Sequence, residues 1–137
     1  MTLSLVDSNI IIDILEENEW SPWSERSILK ASEAGQLVIN QIVLAETAVY
    51  FDHVAQLDRS LATLRIVKEE LPWEAAIAAG HGHAQYRKKG GARERVLPDF
   101  LIGAHAALKG YRLLTRDARR YRAYFPAIDI IAPDTHP

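Results

Sequence analysis

Four acids decide what chemistry this chain can do. Asp7 directly follows a short apolar run, Leu3 to Val6, and precedes the helical apolar pattern Ile10, Ile11, Ile14, Leu15. Asp117 follows a second run, Tyr111 to Leu114. Asp99 comes right after Pro98, in the first turn of a predicted helix, and Glu46 lies in the helix after Leu37-Val38-Ile39. Taken singly each has an ordinary explanation. Asp7 and Asp117 suit helix caps, Asp99 is a favourable charge in a first turn, and Glu46 suits a solvated helix face. Taken together they repel one another unless a cation sits between them. Hard oxygen ligands with retained water are what Mg²⁺ or Mn²⁺ requires.

The elements that must bring these acids together follow from periodicity. Apolar runs place strands at 3–6, 37–39, about 69–72, 111–114 and 128–131. Helical patterns fill the gaps. One begins after Asp7, and one runs from Ser21-Pro22 to Gly35 as its C′ residue. One runs from a cap at Asn40 through Gln41 to about Gln56, and the next carries Leu57, Leu61 and Leu64 on one stripe. A further helix over 74–89 ends at Gly90-Gly91. Another starts at Pro98, carries Leu101, Ala104, His105 and Leu108 on one face and closes at Gly110; a short basic helix reaches about Tyr124. Residues 132–137 read as a tail.

Strands alternating with helices imply a parallel sheet with helices on both faces. Crossover helices run antiparallel to the strands, so their N-termini meet the strands' C-terminal ends. All four acids therefore belong to one sheet edge, where open α/β sheets bind ligands.

Composition narrows the class. The chain has 137 residues, 48% hydrophobic and 25% charged, which fits one ordinary globular domain. It has no cysteine, which excludes disulfides and thiolate metal sites. No apolar run approaches the ~20 residues of a membrane span, and the N-terminus has no signal-peptide pattern, so a cytoplasmic protein is expected. The net charge of −2 hides a split: residues 1–86 hold 5 Lys/Arg against 13 Asp/Glu, and residues 87–122 hold 11 against 3. Such a split suggests a basic face toward an anionic partner. His81 and His83 are two apart on a helix and share no face, while His105 on an apolar stripe reads as a satisfied core residue. Trp20 and Trp23 read as packing residues.

Four segments carry a family resemblance. Leu-Val-Asp-Ser-Asn-Ile-Ile-Ile-Asp (5–13), Leu-Ala-Glu (44–46), Pro-Asp-Phe-Leu-Ile-Gly-Ala-His-Ala (98–106) and Leu-Leu-Thr-Arg-Asp (113–117) resemble, in order, the motifs of PIN-domain proteins. Among these, the chain is most similar to the VapC-type toxins of bacterial toxin–antitoxin pairs. The resemblance implies a single PIN-like domain over 1–137, with a parallel five-stranded sheet of order 3-2-1-4-5 sandwiched by helices. It implies metal-dependent hydrolysis of RNA phosphodiesters with Mg²⁺ or Mn²⁺. The family's acids map onto Asp7, Glu46, Asp99 and Asp117. In the expected arrangement Asp7, Asp99 and Asp117 hold the metal, while Glu46 coordinates through water or orients the nucleophile. Ser8, Asn9 and Thr115 fix the carboxylates, and Arg93, Arg95 and Arg116 hold the RNA backbone. The resemblance also implies a cognate antitoxin and a homodimer, for which Trp20, Trp23, Tyr50 and Phe51 are candidate interface residues. One departure is Ala-Glu-Thr-Ala-Val-Tyr-Phe (45–51), where many members have Leu after the Glu and a Gly near the end.

Two other readings compete. A phospho-acceptor signalling domain also gathers acids at strand ends, but it needs paired acids after the first strand and a Lys after the last, and both are missing. A PIN-like module that binds RNA or protein without catalysis keeps the fold, but it has no need for all four acids.

Overall fold

The computed structural model describes residues 2–91 and 96–137. The chain runs β1 (Ser4–Val6), α1 (Ser8–Glu16), α2 (Ser21–Ala34), β2 (Leu37–Ile39), α3 (Gln41–Ala48), α4 (Val54–Thr63) and β3 (Ile66–Lys68). It continues α5 (Trp73–Lys88), α6 (Leu97–Lys109), β4 (Arg112–Leu114), α7 (Arg119–Tyr124) and β5 (Ile130–Ile131). The strands form one sheet in the order β3-β2-β1-β4-β5, and every pairing is parallel. Order and direction are those expected.

Burial explains why these short runs form strands. β1 and β2 are buried at every position, so helices must cover both faces of the sheet. Leu5, Val6, Leu37, Ile39, Leu113 and Leu114 are fully enclosed with Ile10 and Ile11 of α1 and Ile102 of α6. A second, smaller core joins Ala75 and Ala79 of α5 to Phe100 and Ala104 of α6. The chain leaves β1 in opposite directions to reach β2 and β4. The C-terminal ends of β1 and β4, which carry Asp7 and Thr115, thus flank the switch point where such sheets open a crevice.

The third strand corrects the sequence reading. It lies at Ile66–Lys68, not at 69–72. β3 is the sheet edge, and only Ile66 of its three residues is buried, so its apolar signature is one residue long. Arg65 turns into it with φ of 59°, and the Glu69 N–H still bonds the Ile39 carbonyl at 2.8 Å before the chain departs. The single helix expected from Gln41 to about Gln56 is also two. Tyr50 and Phe51 donate to the carbonyls of Thr47 and Ala48, three residues back, which tightens and ends α3. His53, in extended backbone, restarts the chain as α4.

Gly35 closes α2 as expected, but for a different reason. Its φ of 168° is ordinary extended backbone. Glycine is needed because a Cβ there would lie 2.1 Å from the Thr2 carbonyl oxygen. Gly110, at φ 68°, does occupy the left-handed region at the end of α6. The segment 132–137 is turned rather than extended, with the Thr135 N–H on the Ala132 carbonyl and the Trp23 indole donating to the His136 carbonyl.

Candidate functional site

The site grows from the end of β1. The Asp7 N–H bonds the Leu114 carbonyl at 2.9 Å, which ties the residue to β4. Its carboxylate caps α1 by accepting from the Ser8 N–H at Oδ1, 2.8 Å away. Two hydroxyls reach Oδ2: Thr115 Oγ1 at 2.8 Å and Tyr121 at 3.0 Å. Asn9 Nδ2 lies 3.4 Å from the same oxygen. Asp7 is only 4% exposed. Burial, with further pressure from the charges of Asp99 and Glu46, pushes its carboxyl up to about 6 against the pull of the two hydroxyls.

The other acids arrive on helices. Glu46, half-buried on α3, accepts from Ser8 Oγ at 3.0 Å. Burial raises its pKa, and the Asp99 charge adds to the rise. Asp99 stands in the first turn of α6, where Pro98 has no N–H to lose. Its carboxylate pairs with the Arg120 guanidinium, and Tyr121 lies 3.5 Å from its Oδ1. Burial still raises its pKa, helped by Asp117 and opposed by Arg120. Asp117 is exposed at the rim, and its N–H bonds Thr115 Oγ1 at 3.2 Å.

The sequence placed the four acids on one edge, and Asp7, Glu46 and Asp99 do feel one another's charge there. Among the described residues, however, no three acid or imidazole groups form a closed set around a cation position. The donor chemistry still fits a hard divalent ion. The groups are carboxylate and hydroxyl oxygens, and burial, with a smaller addition from neighbouring carboxylates, raises the pKa of Asp7 and Asp99, although Arg120 already neutralises part of the Asp99 charge.

Ser8 bonds Glu46, and Asn9 and Thr115 bond Asp7 and each other. Arg93 and Arg95 fall outside the described residues. Arg116 carries a partner that sequence reasoning missed. Its guanidinium forms a bidentate pair with Asp13, Nε to Oδ2 at 2.8 Å and Nη2 to Oδ1 at 3.0 Å, and stacks over Trp20 at 5.6 Å. Asp13 is fully buried and also accepts from Asn18 and Ser24. The Arg116 N–H bonds Asn9 Oδ1 at 3.1 Å, so this clamp holds the turn that carries Thr115 and Asp117. One signal was available, since a charged Asp13 three residues after Ile10 on an apolar helix face needs a buried partner. Tyr121 had no such signal, because nothing local in Arg119–Tyr124 says which side chain faces the acids.

His105 is a core residue, as expected. Its Nδ1 lies 3.0 Å from Asn40 Nδ2, its Nε2 lies 2.7 Å from Glu69 Oε2, and Tyr111 donates to Glu69 Oε1. Asn40 in turn caps α3 through the N–H groups of Ile42 and Val43. The interface expectation for Trp23 is corrected. It is 7% exposed and packed in the core, whereas Val49, Val54, Trp73 and Ile77 stand out in solvent.

A cleft of about 300 Å³ lined by Tyr86, Asp117, Arg119, Arg120, Ala123 and Tyr124 opens beside the acids. A larger cavity of about 810 Å³, which includes Trp23, Lys30 and Arg112 in its wall, contains none of them.

The family model for the PIN domain matches residues 4–126. No curated protein matches the chain. Among solved structures, DNA-bound VapBC from Salmonella typhimurium is similar with a TM-score of 0.66 and 25% identity, over 96% of this chain and 98% of that one. A toxin–antitoxin complex from Klebsiella pneumoniae is similar with a TM-score of 0.62 and 25% identity, over 95% and 97%. VapBC2 from Rickettsia felis, bound to a fragment of promoter DNA, shares the fold at a TM-score of 0.71 and 16% identity, over 96% and 98%.

Proposed function

The chain belongs to the PIN domain family, and from that premise we propose that it is a metal-dependent endoribonuclease acting as the toxin of a toxin–antitoxin pair. The observation that carries this reading is the gathering of oxygen donors at the switch point of the sheet: the buried Asp7 carboxylate held by Ser8, Thr115 and Tyr121, Glu46 linked to it through Ser8, and Asp99 beside the same Tyr121 hydroxyl. Burial is the main cause that raises all three carboxyls, and neighbouring carboxylates add to it.

In this reading Asp7, Asp99 and Asp117 hold Mg²⁺ or Mn²⁺. The bound ion supplies an activated water and stabilises charge on the phosphoryl and leaving oxygens. Glu46, steadied by Ser8, orients the attacking water. Thr115 and Asn9 hold the Asp7 carboxylate in place. Arg93 and Arg95 carry the phosphate contacts. Arg116 shares its charge with Asp13, so its contribution to the RNA is the smaller one.

The toxin role is supported by the VapBC and toxin–antitoxin complexes among the similar structures, and a protein antitoxin is the partner proposed here. Among the described residues no helix is long and apolar enough to cross a membrane, and we place the activity in the cytoplasm. A homodimer is proposed as well. Trp73 and Ile77, one turn apart on α5 and 80% and 62% exposed, give it an apolar face.

The test is cleavage of RNA by purified protein in EDTA, Mg²⁺ and Mn²⁺. Asp7→Asn, Asp99→Asn and Asp117→Asn should each abolish metal-dependent cleavage while the fold is retained. Full activity in two of the three would overturn the site. One observation favours the non-catalytic alternative, namely the absence of a closed ligand set among the described residues. RNA binding without cleavage in any metal would decide for it.

A further inference from the structure

Tyr121 lies in the middle of the acid cluster, and neither the family's motifs nor the proposed mechanism uses it. It is 2% exposed, on the six-residue helix α7 that also carries Arg120. A buried phenol needs a partner for its hydroxyl, and the oxygens facing this one belong to Asp7 and Asp99. A phenylalanine would fill the same space without that need.

The acceptor inventory of Asp7 gives the hydroxyl its meaning. An ionised carboxylate offers about four lone-pair positions, two on each oxygen. At Oδ2, Thr115 and Tyr121 make the two short contacts, at 2.8 and 3.0 Å, which use both positions, while Asn9 Nδ2 stands farther off at 3.4 Å. At Oδ1, the Ser8 N–H uses one. The carboxylate is therefore held by three short hydrogen bonds, from the residue after β4, from α7 and from its own helix. It cannot rotate without breaking at least two hydrogen bonds.

We propose that Tyr121 is a positioning residue for the cation site: with Thr115 it saturates Oδ2 of Asp7 and leaves Oδ1 as the oxygen presented to a divalent ion. The inference rests on the metal-site reading of the acids. It goes further by assigning the two carboxylate oxygens different tasks and by making α7 part of the site. Groups that orient a metal ligand in this way typically change metal affinity by roughly 10–100-fold when removed.

The experiment is calorimetric titration of Mn²⁺ into the metal-free protein, without RNA, with melting measured in EDTA alongside. Tyr121→Phe keeps the ring and loses the hydroxyl. It should bind Mn²⁺ roughly 10-fold or more weakly and melt within a few degrees of wild type in EDTA. Tyr124→Phe, a half-buried tyrosine on the same helix, is the control and should bind as wild type does. Unchanged or tighter Mn²⁺ binding by Tyr121→Phe overturns the proposal, the tighter case meaning that the hydroxyl competes with the ion. A large drop in melting temperature in EDTA also overturns it, because the role would then be structural. Absence of Mn²⁺ binding by wild type would instead remove the metal-site reading itself.

Discussion

Asp7 shows how one side chain can be both a structural cap and a chemical group. Its carboxyl is raised to about 6, from 3.8 in the unfolded chain. The folded state therefore binds the extra proton between those values. Stability of the metal-free protein falls as pH rises from about 3.8 through about 6, and the whole penalty is present above. A shift of that size corresponds to on the order of 3 kcal/mol. Asp7→Asn removes the charge but keeps an oxygen for the Ser8 N–H, so it should melt no lower than wild type in EDTA at about pH 7.5. Its advantage should shrink as the pH approaches about 5. It should also lose most of the stabilisation that millimolar Mg²⁺ or Mn²⁺ gives wild type, while Asp58→Asn on α4 keeps it. Thermal melts across pH, with and without metal, check all three points, and equal metal shifts in Asp7→Asn and wild type would contradict the site.

At the scale of elements, the site depends on two polar clamps rather than on any one helix. Asp13 and Arg116 join α1 to the turn after β4, and the Asp13 side chain has no exposure at all. Removing Arg116 strands a fully buried carboxylate, at a cost of about 3–5 kcal/mol, removing Asp13 leaves a guanidinium that is 32% exposed and costs less, and removing both avoids the stranded charge. Arg116→Met and Asp13→Asn should therefore each destabilise, and the double variant should fall short of their sum. A denaturant-melt double-mutant cycle measures that coupling. The second clamp is His105, which ties α6 to the Asn40 cap of α3 and to Glu69 after β3. Burial holds its pKa below the ordinary 6.5, with Glu69 pulling the other way and Lys109 adding to the fall. The unfolded chain takes up the proton first, so stability contributed here is full above 6.5 and is lost as pH falls below it. His105→Gln should flatten the stability profile between about pH 5 and 7, read from urea midpoints. Over much of that range Asp7 and His105 act with opposite sign, so the single variants are needed to separate them.

For the whole molecule, the charge split becomes a statement about binding. Residues 87–122 hold 11 Lys/Arg against 3 Asp/Glu, yet Arg116, Arg120 and Arg122 are paired with Asp13, Asp99 and Asp134. Asp99 is already one of those 3 acids, so Asp13 and Asp134 match two of the excess charges from outside the stretch and most of the excess stays available to an anion. Neutralising Arg93 and Arg95 should weaken RNA binding and reduce its logarithmic salt slope by roughly 0.7 for each phosphate no longer engaged. Neutralising Arg116 should lower the melting temperature and leave the slope nearly unchanged, because its charge is shared with Asp13. The proposed dimer is checked by light scattering of Trp73→Glu, which should be monomeric at concentrations where wild type is not.

The sequence by itself determined the parallel sheet and the edge at which the acids meet. Strand-then-helix alternation and the position of an acid just past an apolar run are local patterns, and in a parallel sheet local pattern dictates which end a residue occupies. The edge positions of Asp7, Asp99 and Asp117 were legible for that reason, and so was His105 as a core residue. What tertiary structure decided was pairing. β3 moved to Ile66–Lys68 because an edge strand buries one residue and leaves little pattern to read. Trp23 went into the core and Trp73 into solvent, a choice that residue type cannot make. Arg116 met Asp13 across 103 positions and Tyr121 met Asp7 across 114, and contacts at such separation leave no periodicity in the chain. They exist because β1 and β4 lie side by side, which only the folded sheet brings about.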